Sequence, residues 1–451
     1  MGRIFDLGIN NPNYEINYNT DPYDKQVDFV FLNTCGFISS GREEMISTMN
    51  DLIKKGKKVY LLGCGLQYFK TLSNAKTNAP LIKGGLGGFK EEIKITKDIF
   101  HLSRSDFENI TIAKLLKGYN SPDFKDFKFT EYPRAYTNAE FGFEYLKIAE
   151  GCDNHCTFCI IPKLRGKQKS LPIEKIINEI YNMLNAGIQE IILIAQDTTT
   201  YGRDLYGESK LFELLEEIEK IDADFQYRLL YLYPDIITIK ELKRLTRFKK
   251  FIPYFDIPLQ HISSPILKRM GRFYDEKKIY QLLDFIKKEF PNSFIRTNFI
   301  IGFPGEEAED NQKLLEFINL KYFDNIALFE YHDEPFATSS KLDKKVPDTI
   351  IRKRFTEARQ LVNRQLLDRE DNRKGKEYIG YIMDIQTNLS SLTKEVAGMK
   401  GTTEDLKTLI TVRPQLHAPE IDPYDEIKLE QITGVFEDKD LEIGDKIVYK
   451  I

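Results

Sequence analysis

The stretch from Gly151 to Cys159, GCDNHCTFC, carries three of the chain's five cysteines at the spacing C-x3-C-x2-C. Thiolates are soft ligands that suit iron–sulfur clusters or zinc. Structural zinc asks for four protein ligands in a closed tetrahedron. The nearest other donor, His155, lies inside the loop beside Cys156, where it cannot easily turn onto a metal that its neighbours already wrap. Packing alone does not call for three free thiols at positions 152, 156 and 159. A cluster is the expected occupant and zinc the alternative. Three cysteines on a four-iron cubane leave one iron open, and an open metal site is where a further ligand can coordinate.

The elements that must hold this loop follow from length and hydrophobic pattern. At 451 residues the chain exceeds one ordinary core and divides into two or three domains. A hydrophobic content of 41% with 24 Tyr and 31 Phe is that of a globular protein. No window approaches eighteen apolar residues, and MGRIFDLGIN lacks the zones of a secretory signal, so a soluble cytoplasmic protein with no membrane partner is expected. The odd number of crowded cysteines argues against a disulfide framework. With 65 basic and 69 acidic residues the net charge is −4, so the chain as a whole offers no field for a polyphosphate.

From Val27 to about Ile112, apolar runs (VDFVFLN, KKVYLLG) alternate with a helical stretch, Gly41 to Lys57, in which Met45, Met49 and Ile53 recur at helical spacing. A small α/β domain over residues 1–116 is predicted, followed by a linker over 117–140 that is rich in Pro, Asn, Asp and aromatic residues. Over 141–372 strands and helices alternate repeatedly (YLKIA, EIILIAQ, YRLLYLY, YFDIPLQ, FIRTNFIIGF, NIALFEY), which predicts a parallel sheet curved into a full or partial TIM-like (β/α) barrel. The cysteines then follow the first barrel strand, at the end where such folds place their chemistry. Residues 373–451 read as short strands and turns, a small β-barrel of the oligonucleotide-binding kind. The fold class is thus α/β multidomain.

The cysteine spacing and its strand-end position resemble the radical S-adenosylmethionine (SAM) superfamily. The runs YLKIAEGCDNHCTFCIIPKLRG, AQDTTTYGRDLYG, LLYLYPD, DIPLQHISSPILKRMGR and RTNFIIGFPGE, in this order, are similar to the methylthiotransferase family, most of all its RimO branch, along essentially the whole chain. The resemblance implies a 4Fe–4S cluster on Cys152, Cys156 and Cys159 whose unique iron chelates SAM. Electron transfer then cleaves SAM into methionine and a 5'-deoxyadenosyl radical. It also implies a second 4Fe–4S cluster held by three N-terminal cysteines. Cys35 (NTCGFISSGREE) and Cys64 (LLGCGLQYF) match two of them. The third is absent, and the expectation is a start codon placed downstream of the real one.

On the SAM side, Phe158 is expected beside the adenine, with Gln196 and Asp197 at the polar groups of the cofactor. Arg296 is a candidate for its carboxylate. Gly302, Phe303, Pro304 and Gly305 form a tight loop whose glycines would let the backbone approach a ligand. Gln260 and His261 close the strand YFDIPL, where His261 is a candidate for contact with substrate or sulfur, although a lone His is more often structural. GGLGGFKEE lacks the spacing of a phosphate loop.

Three functions compete. The first is methylthiolation of the β-carbon of an aspartate in ribosomal protein twelve of the small subunit, with SAM as methyl donor and radical source. The second is methylthiolation of isopentenyladenosine in tRNA, and the third a zinc-stabilised RNA-binding protein. From Lys376 to Ile451 nine basic residues face fifteen acidic ones, a local charge of −6. RNA affinity rests on neutralised phosphates, so this tail disfavours tRNA and suits a basic ribosomal protein. The resemblance further implies a low-potential electron donor such as flavodoxin or ferredoxin.

Overall fold

A computed structural model of the chain describes residues 22–23, 29–34, 39–63, 99–101, 136–387, 408–436 and 441–451. These fall into two compact units: Met1–Thr137 with Gly151–Lys167 and His332–Ser340, and the remainder, Asn138–Glu150, Gln168–Tyr331 and Lys341–Ile451. Cys35 and Cys64 lie outside the described residues, as do most of the expected linker and the GGLGGFKEE turn.

In the first unit, β1 (Phe29–Thr34), β2 (Lys58–Gly63) and β3 (Ile99–His101) form a parallel sheet in the order β1-β2-β3. Helix α1 (Ser39–Lys54) links β1 and β2 and buries Met45, Met49 and Leu52. Ile53, partly buried, packs against the cluster that Met49, Leu52 and Val59 form. Leu52 continues the i, i+4, i+7 face begun by Met45 and Met49, whereas Ile53 is turned towards its flank.

The second unit holds a six-stranded, all-parallel sheet in strictly sequential order: β4 (Phe143–Lys147), β5 (Glu190–Ile194), β6 (Gln226–Leu229), β7 (Phe251–Asp256), β8 (Phe294–Ile301) and β9 (Asn325–Glu330). The crossovers carry α2 (Ile173–Asn185), α3 (Leu211–Glu219), α4 (Ile239–Leu245), α5 (Ser264–Arg269), α6 (Glu276–Glu289) and α7 (Ala308–Asn319). The parallel strands are buried, so after its first residue, Glu190, β5 reads as an apolar run, IILI, while each helix buries one stripe. In α2 that stripe is Ile176, Ile180 and Met183. Each such side chain contributes at most about 1.5–3 kcal/mol. Helix starts are set chemically: Thr238 and Glu241 form a reciprocal capping box on α4, and Asp275 accepts the N–H of Lys278 on α6.

The long helix α8 (Asp348–Arg373) leads to an antiparallel five-stranded sheet made of β10 (Glu377–Thr387), β11 (Thr408–Pro414), β12 (Asp425–Lys428), β13 (Ile432–Val435) and β14 (Lys446–Lys450). Its order is β12-β11-β10-β14-β13, around Ile382, Ile410, Val412, Ile427, Ile447 and Tyr449.

The turn between β11 and β12 plugs the amino end of the parallel sheet. Ala418 joins Phe143, Ile192, Leu230, Ile252, Tyr254 and Phe294 in one core, and the His417 ring meets Phe294 edge-on at 4.9 Å. Beside this plug, Glu190 is buried between two arginines, Arg228 Nε at 2.6 Å and Arg413 Nη2 at 2.8 Å. The arginines also donate to the carbonyls of Leu416, Gln415 and His417. Burial pushes the Glu190 carboxyl up, but the two guanidinium groups outweigh it and hold the group below the ordinary carboxylate value.

Candidate active site

The loop that bears the cysteines leaves the chain just after β4, through a two-residue ladder between Ala149–Glu150 and Lys169–Ser170. Its base is closed by glycine: Gly151 has φ +84°, and a Cβ there would collide with the carbonyl of Lys167. Cys152 N–H donates to Gly166 O at 3.1 Å across the same neck. The requirement at Gly151 is invisible in a motif read only for its thiols.

None of the three cysteines is in a disulfide; Cys152 is 8% exposed and Cys156 and Cys159 are partly exposed. The Sγ of Cys152 accepts the N–H of Asn154 and the Sγ of Cys159 that of Ile161, each at 3.4 Å. Backbone N–H groups thus face two of the three sulfurs, a kind of contact that tunes the sulfur ligands of iron–sulfur clusters. Among the described residues no three Cys, His, Asp or Glu side chains converge on a point that would hold a single ion. The three ligands of a cubane bind three different irons and need not converge, so the arrangement is compatible with a cluster. Phe158 lies partly exposed between Cys156 and Cys159, and Thr157 O accepts the N–H of Ser339 at 2.8 Å.

In the second unit, the segment after β5 is a hydrogen-bonded knot. Asp197 Oδ1 accepts both the N–H and the hydroxyl of Thr199, capping a single 3-10 turn, Thr198–Thr200. Thr200 Oγ1 donates to Gln168 Oε1 at 2.7 Å, and Asp204 takes both the N–H and the hydroxyl of Ser170. Asp197 is thus buried and partly committed, while Gln196 beside it is half-buried.

The strand register ranks Arg296 with Asp256, the last residue of β7, and Phe255 with Leu229, the last of β6. Arg296 therefore stands level with the carboxyl ends of β6 and β7, although it is only the third residue of β8. Its Nη1 pairs with Asp256 Oδ1 at 2.8 Å, so its charge is partly engaged before any ligand arrives. Burial pushes the Asp256 carboxyl up, and the neighbouring Arg296 only partly offsets this. Asp256 Oδ2 also accepts the N–H of Tyr231, an exposed residue at φ 60°. Asp256 and Tyr231 lie in runs that carry the family resemblance, DIPLQHISSPILKRMGR and LLYLYPD, but neither was singled out as a site residue.

Gln260, at φ 69°, accepts from Asn298 Nδ2 at 2.9 Å. The fully buried His261 accepts the N–H of Ser263 on Nδ1, with Nε2 3.7 Å from Glu306 Oε2. Glu306 also receives the N–H of Gly302 at 2.7 Å and Arg354 Nη1 at 2.8 Å.

The glycines of the Gly302–Gly305 loop do not open space for a ligand at their Cβ positions. A Cβ at Gly302 (φ +80°) would overlap the Ile351 side chain of α8, and one at Gly305 (φ +93°) would lie 2.5 Å from Arg269 Nε. Arg269 donates to Pro304 O at 2.7 Å, and Phe303 is fully buried against Tyr331. Close packing of protein against protein explains these glycines, and Ile351 and Arg269 come from segments that a local reading cannot pair with them.

Residues 146–318 match the radical SAM superfamily, which sets the class of this α/β protein. Among curated relatives, a ribosomal protein uS12 methylthiotransferase RimO from Carboxydothermus hydrogenoformans is 36% identical, over 90% of this chain and 86% of its own length. Proteins of the same name from Pseudothermotoga lettingae (37% identical; 73% of this chain, 73% of theirs) and Clostridium botulinum (36%; 77% and 75%) are similar too. The chain belongs to the RimO family of radical SAM methylthiotransferases.

Proposed function

We propose that this protein methylthiolates the β-carbon of an aspartate in ribosomal protein uS12, with SAM as both methyl donor and radical source. The observation that carries the reading is the glycine-necked loop with three cysteines outside any disulfide and N–H donors on two of its sulfurs. Cys152, Cys156 and Cys159 hold a 4Fe–4S cluster. Bound together, cluster and SAM supply a carbon radical, which an unactivated aspartate C–H requires because it offers no readily removed proton.

The chain's own residues orient the cofactor. Phe158 lies beside the adenine, Gln196 and Asp197 meet polar groups of SAM, Arg296 offers its carboxylate a partner beside Asp256, and the Gly302, Pro304 and Gly305 backbone lines the pocket. Cys35 and Cys64, with a third ligand, hold the auxiliary 4Fe–4S cluster that supplies the sulfur or binds the sulfur to be donated. In this reading residues 1–116 form the methylthiotransferase domain, 117–140 a linker, 141–372 the radical SAM barrel and 373–451 a TRAM-like β-barrel. The −6 charge of Lys376–Ile451 favours a basic ribosomal protein over tRNA, and electrons come from a flavodoxin or ferredoxin.

Anaerobic reconstitution followed by dithionite and SAM tests this directly. Iron, sulfide and 5'-deoxyadenosine are expected, with a methylthio adduct on a peptide carrying the uS12 aspartate. Cys152→Ala is expected to abolish both products. Zinc without iron, or an adduct on tRNA in place of the peptide, would replace the reading by one of its rivals.

A further inference from the structure

Arg42, on the first turns of α1, is 4% exposed, and Glu334 is 7% exposed. Arg42 Nη2 bridges both carboxylate oxygens of Glu334, at 3.1 and 2.9 Å, across 292 residues of sequence. Two charges this deeply buried give up their hydration. Such a pair adds little to net stability, but losing either member leaves the other charge uncompensated. Its best-attested use is to fix one arrangement against others.

The arrangement at stake is visible inside the first unit. Glu334 opens a short strap: its carbonyl accepts the N–H of Ala337 at 2.9 Å, and the turn delivers buried Ser339, whose N–H reaches Thr157 O at 2.8 Å. Thr157 lies between Cys156 and Cys159. A second tether runs back from the loop, Lys163 Nζ to Phe336 O at 2.5 Å, with the ammonium 5.9 Å from the centre of the Phe336 ring. The buried pair therefore joins the helix that follows Cys35 in sequence to the loop that carries the other three cysteines, through a strap of nine residues, His332–Ser340.

We propose that Arg42 and Glu334 are positioning residues that register the N-terminal module with the cysteine loop, so that radical formation and sulfur transfer stay coupled. This rests on the reading of the loop as the cluster site. Neither residue touches SAM or substrate in this role. Their loss should lower the yield of methylthiolated product per SAM cleaved.

The decisive variants are Arg42→Met and the milder Arg42→Lys and Glu334→Asp, all in the full-length chain. Hydrogen exchange on the metal-free protein is expected to quicken about tenfold in peptides covering 332–340 and 151–167 for Arg42→Met. Arg42→Lys should show a smaller change, and peptides of the parallel sheet none. In reconstituted enzyme, the ratio of methylthio product to 5'-deoxyadenosine is expected to fall about tenfold. Should Arg42→Met fail to fold, Arg42→Lys and Glu334→Asp must show the same ordering. Unchanged exchange at 151–167, or product and deoxyadenosine falling in equal proportion, would overturn the proposal. Absence of deoxyadenosine from the wild type would instead sink the reading of the loop, while the exchange measurement would still decide the coupling.

Discussion

The two ends of the six-stranded sheet treat buried charge in opposite ways. At the amino end Glu190 sits between Arg228 and Arg413, and both guanidinium groups donate onward to backbone carbonyls of the plugging turn. At the carboxyl end Asp256 has one arginine, Arg296, and a buried Nε lacks an acceptor among the described residues at both ends, on Arg296 and on Arg413, so the contrast lies in the number of partners around the carboxylate. Strain is present at both ends: among the described residues Tyr231 and Gln260, at positive φ, follow the carboxyl ends of strands and the carbonyl of Lys344 holds Gly305, while Lys321 precedes β9 and Glu420 lies in the plugging turn. Charges locked from several sides brace a fold, whereas incompletely matched charges are characteristic of a place that expects a ligand.

The sharpest way to break this comparison is to neutralise the clamp. Glu190→Gln leaves two buried guanidinium groups around an uncharged side chain and is expected to cost about 3–5 kcal/mol. Denaturant midpoints would measure it, and a loss below about 1 kcal/mol would mean that the apolar plug holds this end without help. The pH dependence follows by sign. Glu190 is held below its unfolded value, so its contribution is fully present above about pH 4.3, the unfolded glutamate value, and is lost as pH falls through the lower folded-state value. Thermal midpoints should therefore fall more steeply on the acid side in the wild type than in Glu190→Gln.

A smaller effect probes the loop at the carboxyl end. Gly302→Ala must tolerate both a positive φ and overlap with Ile351, and is expected to cost about 2–3 kcal/mol. If ligand access were what the glycine serves, Gly302→Ala would instead leave stability unchanged and weaken SAM binding alone. Pairing it with Ile351→Ala separates the two contributions, because the overlap vanishes and the backbone strain remains. The double variant should lose less than the sum of the singles.

What could be read in advance follows from the range of each interaction. The C-x3-C-x2-C spacing, the sequential strands and helices and the four-residue capping box of α4 are all local, and each was legible or readily explained by pattern. Glu190 was not singled out, because its partners lie 38 and 223 residues away and nothing in EIILI marks the glutamate as buried. Arg42 and Glu334 are hidden for the same reason. Gly302 and Gly305 were legible as special, but the side chains packed at their Cβ positions were not, since Ile351 and Arg269 approach from other segments. Arg296 was legible as a cation at a strand end, while its partner Asp256 became visible only through the register.

The smallest expected change is the most specific to the comparison. Gln260 pays for φ 69° in a conformation that L side chains adopt reluctantly, at about 1 kcal/mol or more. Gln260→Gly removes that strain and also the bond from Asn298 Nδ2, worth about 1 kcal/mol. The two nearly cancel, so the midpoint should move by less than about 1 kcal/mol in either direction. A loss near that of Glu190→Gln would show the carboxyl end to be as tightly braced as the amino end. A near-neutral result, together with weakened SAM binding, would place the strain at this position in the service of the ligand.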